Sequence, residues 1–307
     1  MRVAAIDCGT NSIRLLIADV TSEGLRDIVR TMIVVRLGQG VDRTGEFSQE
    51  ALERTFTAID EYRKLIDVHK PERVRFVATS ASRDVSNRQE FVDGVKLRLG
   101  VEPDVISGDE EAQLSFHGAT AEIAQSDNPP ASPYLVVDIG GGSTEFVLGT
   151  TSPTHAKSTN VGCVRMTERH LKSDPPTPEE IALAIVDIDE AIESARAEVP
   201  FDQAQSLIGL AGSVTTVAAL ALELQTYDSE LIHGSRISAE QVHAVTTDLL
   251  GMTRVQRAAL GPMHEGRIDV IGAGALVLDR IMLATGLPTV VVSERDILDG
   301  IAFALAH

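Results

Sequence analysis

The sequence predicts an α/β fold in which one unit, β-β-β-α-β-α-β-α, occurs twice in tandem, with the ligand site in the cleft between the copies. Three observations predict it. Short apolar runs of strand length alternate with longer stretches of helical period. The order of these elements in the second half repeats that of the first, with helical insertions. A polar, proline-rich segment, Ser126-Asp127-Asn128-Pro129-Pro130-Ala131-Ser132-Pro133, separates the halves as a linker. The chain of 307 residues has room for two domains. These are expected at 1–125 and 126–307, with the last helix, 296–307, a candidate to pack back on the first.

In the first half, residues 2–7 read as a strand. Residues 12–20 and 25–37 are β-rich and are parted by the turn Ser22-Glu23-Gly24. Residues 48–69 form a helix, with apolar Leu52, Phe56, Ile59, Leu65 and Ile66 on its inner face. A strand at 73–79 leads to Ser86-Asn87-Arg88-Gln89, a capping box opening a helix to about residue 99. A strand at 101–106 and a helix from 109 to 124 close the first copy. In the second, strands are expected at 134–138, 144–149 and around 156–160, and a helix opens at the capping box Thr177-Pro178-Glu179-Glu180. A buried strand at 206–210, helices near 213–222, 238–250 and 267–285, a strand at 289–293 and a helix at 296–305 complete it.

Composition narrows the function classes. A formal net charge of −18 disfavours non-specific contact with nucleic acid or anionic membrane. The absence of tryptophan argues against a base-stacking platform. No stretch is apolar enough to span a membrane, and the N-terminus begins as a strand rather than a leader. Two cysteines, Cys8 and Cys163, without metal-type spacing, fit a reducing, cytoplasmic setting and read as small buried residues. The eight histidines carry no zinc spacing, and no histidine partner stands near Ser12 or Ser143 to make a serine nucleophile.

The chemistry is concentrated where each copy begins. One strand runs into Asp7-Cys8-Gly9-Thr10-Asn11-Ser12, the other into Asp138-Ile139-Gly140-Gly141-Gly142-Ser143-Thr144-Glu145. Glycines let backbone N–H groups converge on a phosphate, hydroxyls add donors, and a carboxylate at the strand end can hold a cation or a water. One such turn is an ordinary hairpin; two, each opening a matched repeat, suggest a paired phosphate clamp. A strand rather than a helix follows the glycines, which excludes the dinucleotide fingerprint. Thr79-Ser80-Ala81-Ser82-Arg83, with Asn87, suits either an anion or plain helix capping. The same holds for Ala211-Gly212-Ser213-Val214-Thr215-Thr216. In Ser107-Gly108-Asp109-Glu110-Glu111, Glu110 has a capping-box role available, whereas Glu111 does not need one and could take a proton from an attacking water. Arg14, Arg88, Lys157, Arg165, Arg169 and Arg267 are the other basic candidates for a polyanion path, each also readable as a structural charge.

Together these residues resemble the exopolyphosphatase and guanosine pentaphosphate phosphohydrolase (Ppx/GppA) family, in its short two-domain form. The resemblance runs through residues 5–12, 79–87, 106–112, 136–145, 161–164, 211–216, 267–276 and 293–300. Ser-Gly-x-Glu-Glu-Ala together with Asp-Ile-Gly-Gly-Gly-Ser-Thr-Glu is highly specific to it. The resemblance implies two ribonuclease-H-like domains of the actin-like ATPase fold and a hydrolytic mechanism. It implies Glu111 as the general base and Asn11, Ser12, Arg83, Gly140, Gly141, Gly142 and Ser143 as phosphate ligands. Asp138 and Glu145 would be metal-associated, the metal being Mg2+ or Mn2+. The implied substrate is inorganic polyphosphate, with short chains expected because the sequence ends without the helical domains of the long members. Guanosine pentaphosphate and tetraphosphate are the alternative ligands, with either pentaphosphate hydrolysis or alarmone-binding regulation as the alternative role, and a homodimer is expected.

Overall fold

A computed structural model describes residues 1–22 and 24–306. Glu23, in the expected turn, and His307, at the end of the expected last helix, lie outside the described residues. The chain divides into two compact units: Met1–Gly118 with Ile297–His307, and Ala119–Asp296.

The first unit begins with three antiparallel strands, β1 (Arg2–Cys8), β2 (Ser12–Thr21) and β3 (Gly24–Val34). After the short α1 (Val41–Thr44) comes α2 (Gln49–His69), capped by the Ser48 hydroxyl, which accepts from Ala51 N at 3.2 Å. Then follow β4 (Arg73–Ala78), α3 (Ser80–Arg83), α4 (Arg88–Leu99), β5 (Asp104–Val105) and α5 (Gly108–Ile123). The sheet order is β3-β2-β1-β4-β5, with β4 parallel to β1. Strand alternation sends Ala4, Ile6 and Cys8 into one core with Leu52, Ile59, Tyr62 and Phe91 of α2 and α4. Val3 and Ala5 face the other core, and Asp7 follows them at the end of that face.

The expected capping box at residues 86–89 does not form. Asn87 sits at the N-cap but turns its amide away from the helix, accepting from Phe47 N at 2.9 Å and donating to Phe47 O at 3.0 Å. A pair of hydrogen bonds to a distant loop outweighs one to the local helix start. The strand expected at 101–106 shrinks to Asp104–Val105, the residues in register with Val77 and Ala78 of β4, with Ile106 N donating to Ala78 O at 3.1 Å just beyond it.

The second unit repeats the pattern with β6 (Tyr134–Ile139), β7 (Thr144–Gly149) and β8 (Pro153–Thr159), then α6 (Cys163–Arg169) and α7 (Pro178–Arg196). The expected capping box of α7 forms between Thr177 and Glu180. Next come β9 (Ser206–Leu210), α8 (Ala211–Ala221), α9 (Ser229–Ile232) and β10 (Arg236–Ser238). α10 (Ala239–Gly251), α11 (Arg254–Ala258), α12 (Ile271–Thr285) and β11 (Thr289–Val292) follow. The sheet order β8-β7-β6-β9-β11 matches that of the first unit, and β10 is added at the edge beside β11. β10 was not expected; three residues carry too little period to be seen in sequence. Leu135, Val137 and Ile139 of β6 face a core shared with α7, α8 and α12.

The last helix, α13 (Ile297–Ala306), joins the first unit. Its Ile297, Leu298, Ile301 and Ala302 pack against Val3, Ala5, Leu16 and Val77, and burying each large side chain is worth about 1.5–3 kcal/mol. The division between the units falls inside α5, at Gly118/Ala119, rather than in the proline-rich segment. Glu122 on the last turns of α5 accepts from Arg295 at 3.0 Å, which accounts for that end belonging to the second unit. No described helix is long and apolar enough to cross a membrane.

Candidate functional site

In the first unit the β1–β2 turn is closed by Gly9 N donating to Ser12 O at 3.0 Å. The carbonyls of the turn point toward the segment that follows β3. Asn11 O accepts from Val35 N and Arg36 N at 3.1 and 2.8 Å, and Thr10 O accepts from Gly38 N at 2.8 Å. The Thr10 hydroxyl lies 3.0 Å from that of Ser80, joining this turn to the start of α3. Asp7 and Arg14 are register partners across β1 and β2, so their side chains share a face. Arg14 donates to Asp7 Oδ2 from Nε and Nη2 at 3.0 and 2.6 Å.

Arg83 and Glu111, which the sequence assigns separate roles, are brought together. Arg83 ends α3 and Glu111 opens α5. Arg83 Nη1 donates to Glu111 Oε2 at 2.7 Å and to Ile106 O at 3.0 Å. Both bonds use Nη1; among the described residues the Nε–H and Nη2–H of Arg83 meet no acceptor. Glu111 is only 7% exposed. Glu110 points elsewhere: its side chain accepts from Arg75 at 2.7 Å, so it does not close the capping box, although its N–H donates to the Ser107 hydroxyl oxygen at 3.2 Å. A carboxylate held in place by a guanidinium is a group that can accept a proton from a water.

In the second unit the equivalent turn is closed by Gly140 N donating to Ser143 O at 3.0 Å. Asp138 and Glu145 are register partners on β6 and β7, as Asp7 and Arg14 are on β1 and β2. Here both partners are acids, both buried, and the Ser158 hydroxyl donates to Glu145 Oε1 at 2.7 Å. Two carboxylates on one face are the oxygen donor set of a hard divalent cation that keeps several waters. Among the described residues no group of three or more His, Cys, Asp or Glu side chains is placed to hold a metal. Ser143 and Thr144 are buried, and Thr144 donates its hydroxyl to Val161 O at 2.6 Å.

The remaining basic candidates are structural ties. Arg267 Nη1 donates to Gly212 O and Thr216 Oγ1, both at 2.9 Å, which holds the β9–α8 turn. Arg165 Nε donates to Gly142 O at 2.7 Å. Arg88 donates to Ser82 O and Arg83 O at 2.7 and 2.6 Å and so supports the Arg83 backbone. Lys157 pairs with Glu198, and Arg169 with Asp187 at 3.0 Å. Burial pushes both cysteine thiols up, Cys8 further so beside Asp7, and Cys163 despite a hydrogen bond to Ser213 and the nearby Arg267. Buried, protonated thiols are poor nucleophiles. Sequence reasoning missed the Asp7–Arg14 pair and the carbonyl ties of the two turns. The signal for the pair was present, since a tight turn places residues seven apart opposite one another. The ties depend on segments 23–28 residues away in sequence, and local pattern does not show them.

Comparison with known proteins points one way. The model of the Ppx/GppA phosphatase family matches residues 16–307. Exopolyphosphatase 2 of Mycobacterium tuberculosis is 50% identical over 99% of this chain and 98% of its own length. Among solved structures, an exopolyphosphatase-like protein superposes with a TM-score of 0.96 at 46% identity, covering 99% of this chain and 97% of that one. The Aquifex aeolicus Ppx/GppA family member does so with a TM-score of 0.82 at 31% identity, covering 100% and 97%.

Proposed function

Because the chain belongs to the Ppx/GppA phosphatase family, we propose that it is an exopolyphosphatase that releases orthophosphate from the end of inorganic polyphosphate. The observation that carries this reading is the buried Glu111 carboxylate held at 2.7 Å by Arg83. Glu111 takes a proton from a water as its oxygen bonds to the terminal phosphorus. The terminal P–O anhydride bond breaks, and its electron pair leaves on the shortened chain. Arg83 holds Glu111 through Nη1 and turns its free N–H groups to a phosphate oxygen, so one guanidinium orients both base and substrate. In the second unit the amides of Gly141, Gly142 and Ser143 are the phosphate donors, Gly140 N closing the turn on Ser143 O, and in the first unit Asn11 and Ser12 bind phosphate. Asp138 and Glu145 would hold Mg2+ or Mn2+, which supplies charge neutralisation of the phosphate oxygens when bound.

Two measurements test this. Phosphate release is followed with tripolyphosphate, long-chain polyphosphate, guanosine pentaphosphate and ATP, each with Mg2+ or Mn2+ and with a chelator. Release from polyphosphate that stops when the divalent cation is removed is expected; guanosine pentaphosphate turned over at least tenfold faster than any polyphosphate would reassign the substrate. Glu111→Gln is expected to lower kcat by about 10²–10⁴ with a small change in KM. Wild-type turnover by that variant would remove Glu111 from the chemistry.

A further inference from the structure

We propose that Arg165 is a positioning residue whose Nε–H keeps the glycine turn of the second unit in the form that receives a phosphate. The inference rests on the phosphate-binding reading of that turn and adds the device that sets its shape. Three consecutive carbonyls of the turn are tied to the start of α6. Gly140 O accepts from Cys163 N at 3.0 Å, and Gly141 O accepts from Val164 N and Arg165 N at 2.9 and 3.1 Å. Gly142 O accepts from Arg165 Nε at 2.7 Å. In a trans peptide the C=O and the following N–H point to opposite sides. Fixing these three carbonyls on the α6 side therefore turns the N–H groups of Gly141, Gly142 and Ser143 the other way, as a row of donors. Among the described residues those three amides donate to no protein acceptor.

The α6 side of the turn is closed to anything larger than hydrogen. A Cβ at Gly162 would lie 2.5 Å from Gly141 O and 2.7 Å from Gly142 N. In the first unit backbone donors from Val35, Arg36 and Gly38 tie the carbonyls of Asn11 and Thr10. In the second unit a side-chain donor joins the set. Three glycines in the segment from Gly140 to Gly142 make this turn free to sample other peptide orientations. An unfastened Gly142 carbonyl could rotate into the phosphate site, where its negative end would repel the ligand.

The test exploits atom equivalence: in glutamine, Nε2 occupies the same place along the side chain as arginine Nε. Arg165→Met removes every donor and the charge, whereas Arg165→Gln keeps a donor at the Nε position and removes the charge together with the Nη groups. Arg165→Met is expected to raise KM for tripolyphosphate at least tenfold, and Arg165→Gln to stay within about threefold of wild type. Merely losing folded protein would lower kcat and leave KM unchanged. Hydrogen exchange of a peptide spanning residues 140–143 is measured on the same proteins without substrate, and is expected to be faster in Arg165→Met and near wild type in Arg165→Gln. Equal damage in the two variants, or unchanged exchange in Arg165→Met, overturns the proposal. If the wild-type chain releases no phosphate from any substrate, the functional reading fails, and the exchange measurement alone decides whether Arg165 holds the turn.

Discussion

Glu111 shows how far a single residue can be read. Two adjacent glutamates open α5, and only spacing separated them in sequence, because Ser107 pairs by rule with Glu110. The structure sends Glu110 to Arg75 on the exposed side and buries Glu111 against Arg83. The Asp7–Arg14 and Asp138–Glu145 pairs occupy the same register position in their units, yet one is a neutral ion pair and the other a pair of acids. The duplicated scaffold thus sets an arginine opposite an acid in one unit and two acids opposite each other in the other. His233 gives a prediction at this scale. Its Nδ1 accepts from Glu294 N at 3.2 Å, so the neutral ring carries its proton on Nε2, 3.6 Å from Glu122. Burial lowers its pKa, and Arg295 acts in the same direction against the pull of Glu122. As pH falls through the ordinary histidine value of about 6.5, the unfolded chain takes up the proton before the folded one, and stability is lost. The melting temperature of His233→Gln should therefore decline less than that of wild type between pH 7.5 and 5.5. Parallel curves would show that His233 does not contribute.

Elements placed by strong local signals were legible. α2 begins one residue after its capping serine, and the α7 capping box formed as its sequence indicates. Signals that competed with tertiary partners were not: Asn87 left its helix for Phe47, and β5 kept two residues. The placement of α13 belongs to this scale. Besides its apolar face, Asp299 is 1% exposed and accepts from Arg30 of β3 at 2.5 and 3.2 Å. Gly300 lets the helix approach α5 so closely that a Cβ would lie 2.0 Å from Leu114 O. Because the obstacle is backbone, it cannot move aside as a side chain would. Gly300→Ala is expected to cost about 1–3 kcal/mol in urea unfolding, while the slope of the transition is unchanged. An unaltered midpoint would show that the helices can separate freely.

For the molecule as a whole, the net charge of −18 is at odds with a polyanionic substrate. Basic groups at the turns are engaged within their units: Arg14 on Asp7, Arg83 through Nη1 on Glu111, Arg165 on Gly142 and Arg267 on Gly212. Long-range repulsion should then slow encounter at low salt, and screening should relieve it, the Debye length being about 10 Å at 0.1 M and 30 Å at 0.01 M. At fixed free Mg2+, kcat/KM for tripolyphosphate is expected to rise between roughly 0.01 and 0.1 M ionic strength. A fall over that range would mean that the local positive groups dominate the approach.

Local pattern along the chain suffices for the duplicated α/β plan, the two Asp-x-Gly turns at matching strand ends and the Glu-Glu start of α5. Each is written in neighbouring residues through strand alternation, helix period or turn chemistry, and needs no distant partner. Only the tertiary structure decided that Arg83 meets Glu111, that Arg14 neutralises Asp7 while Glu145 joins Asp138, and that α6 ties down the carbonyls of the glycine turn. Those contacts form between segments that chain order leaves apart. Which donor meets which acceptor is set by strand register and helix packing, and these follow from burying the cores on the faces of each sheet.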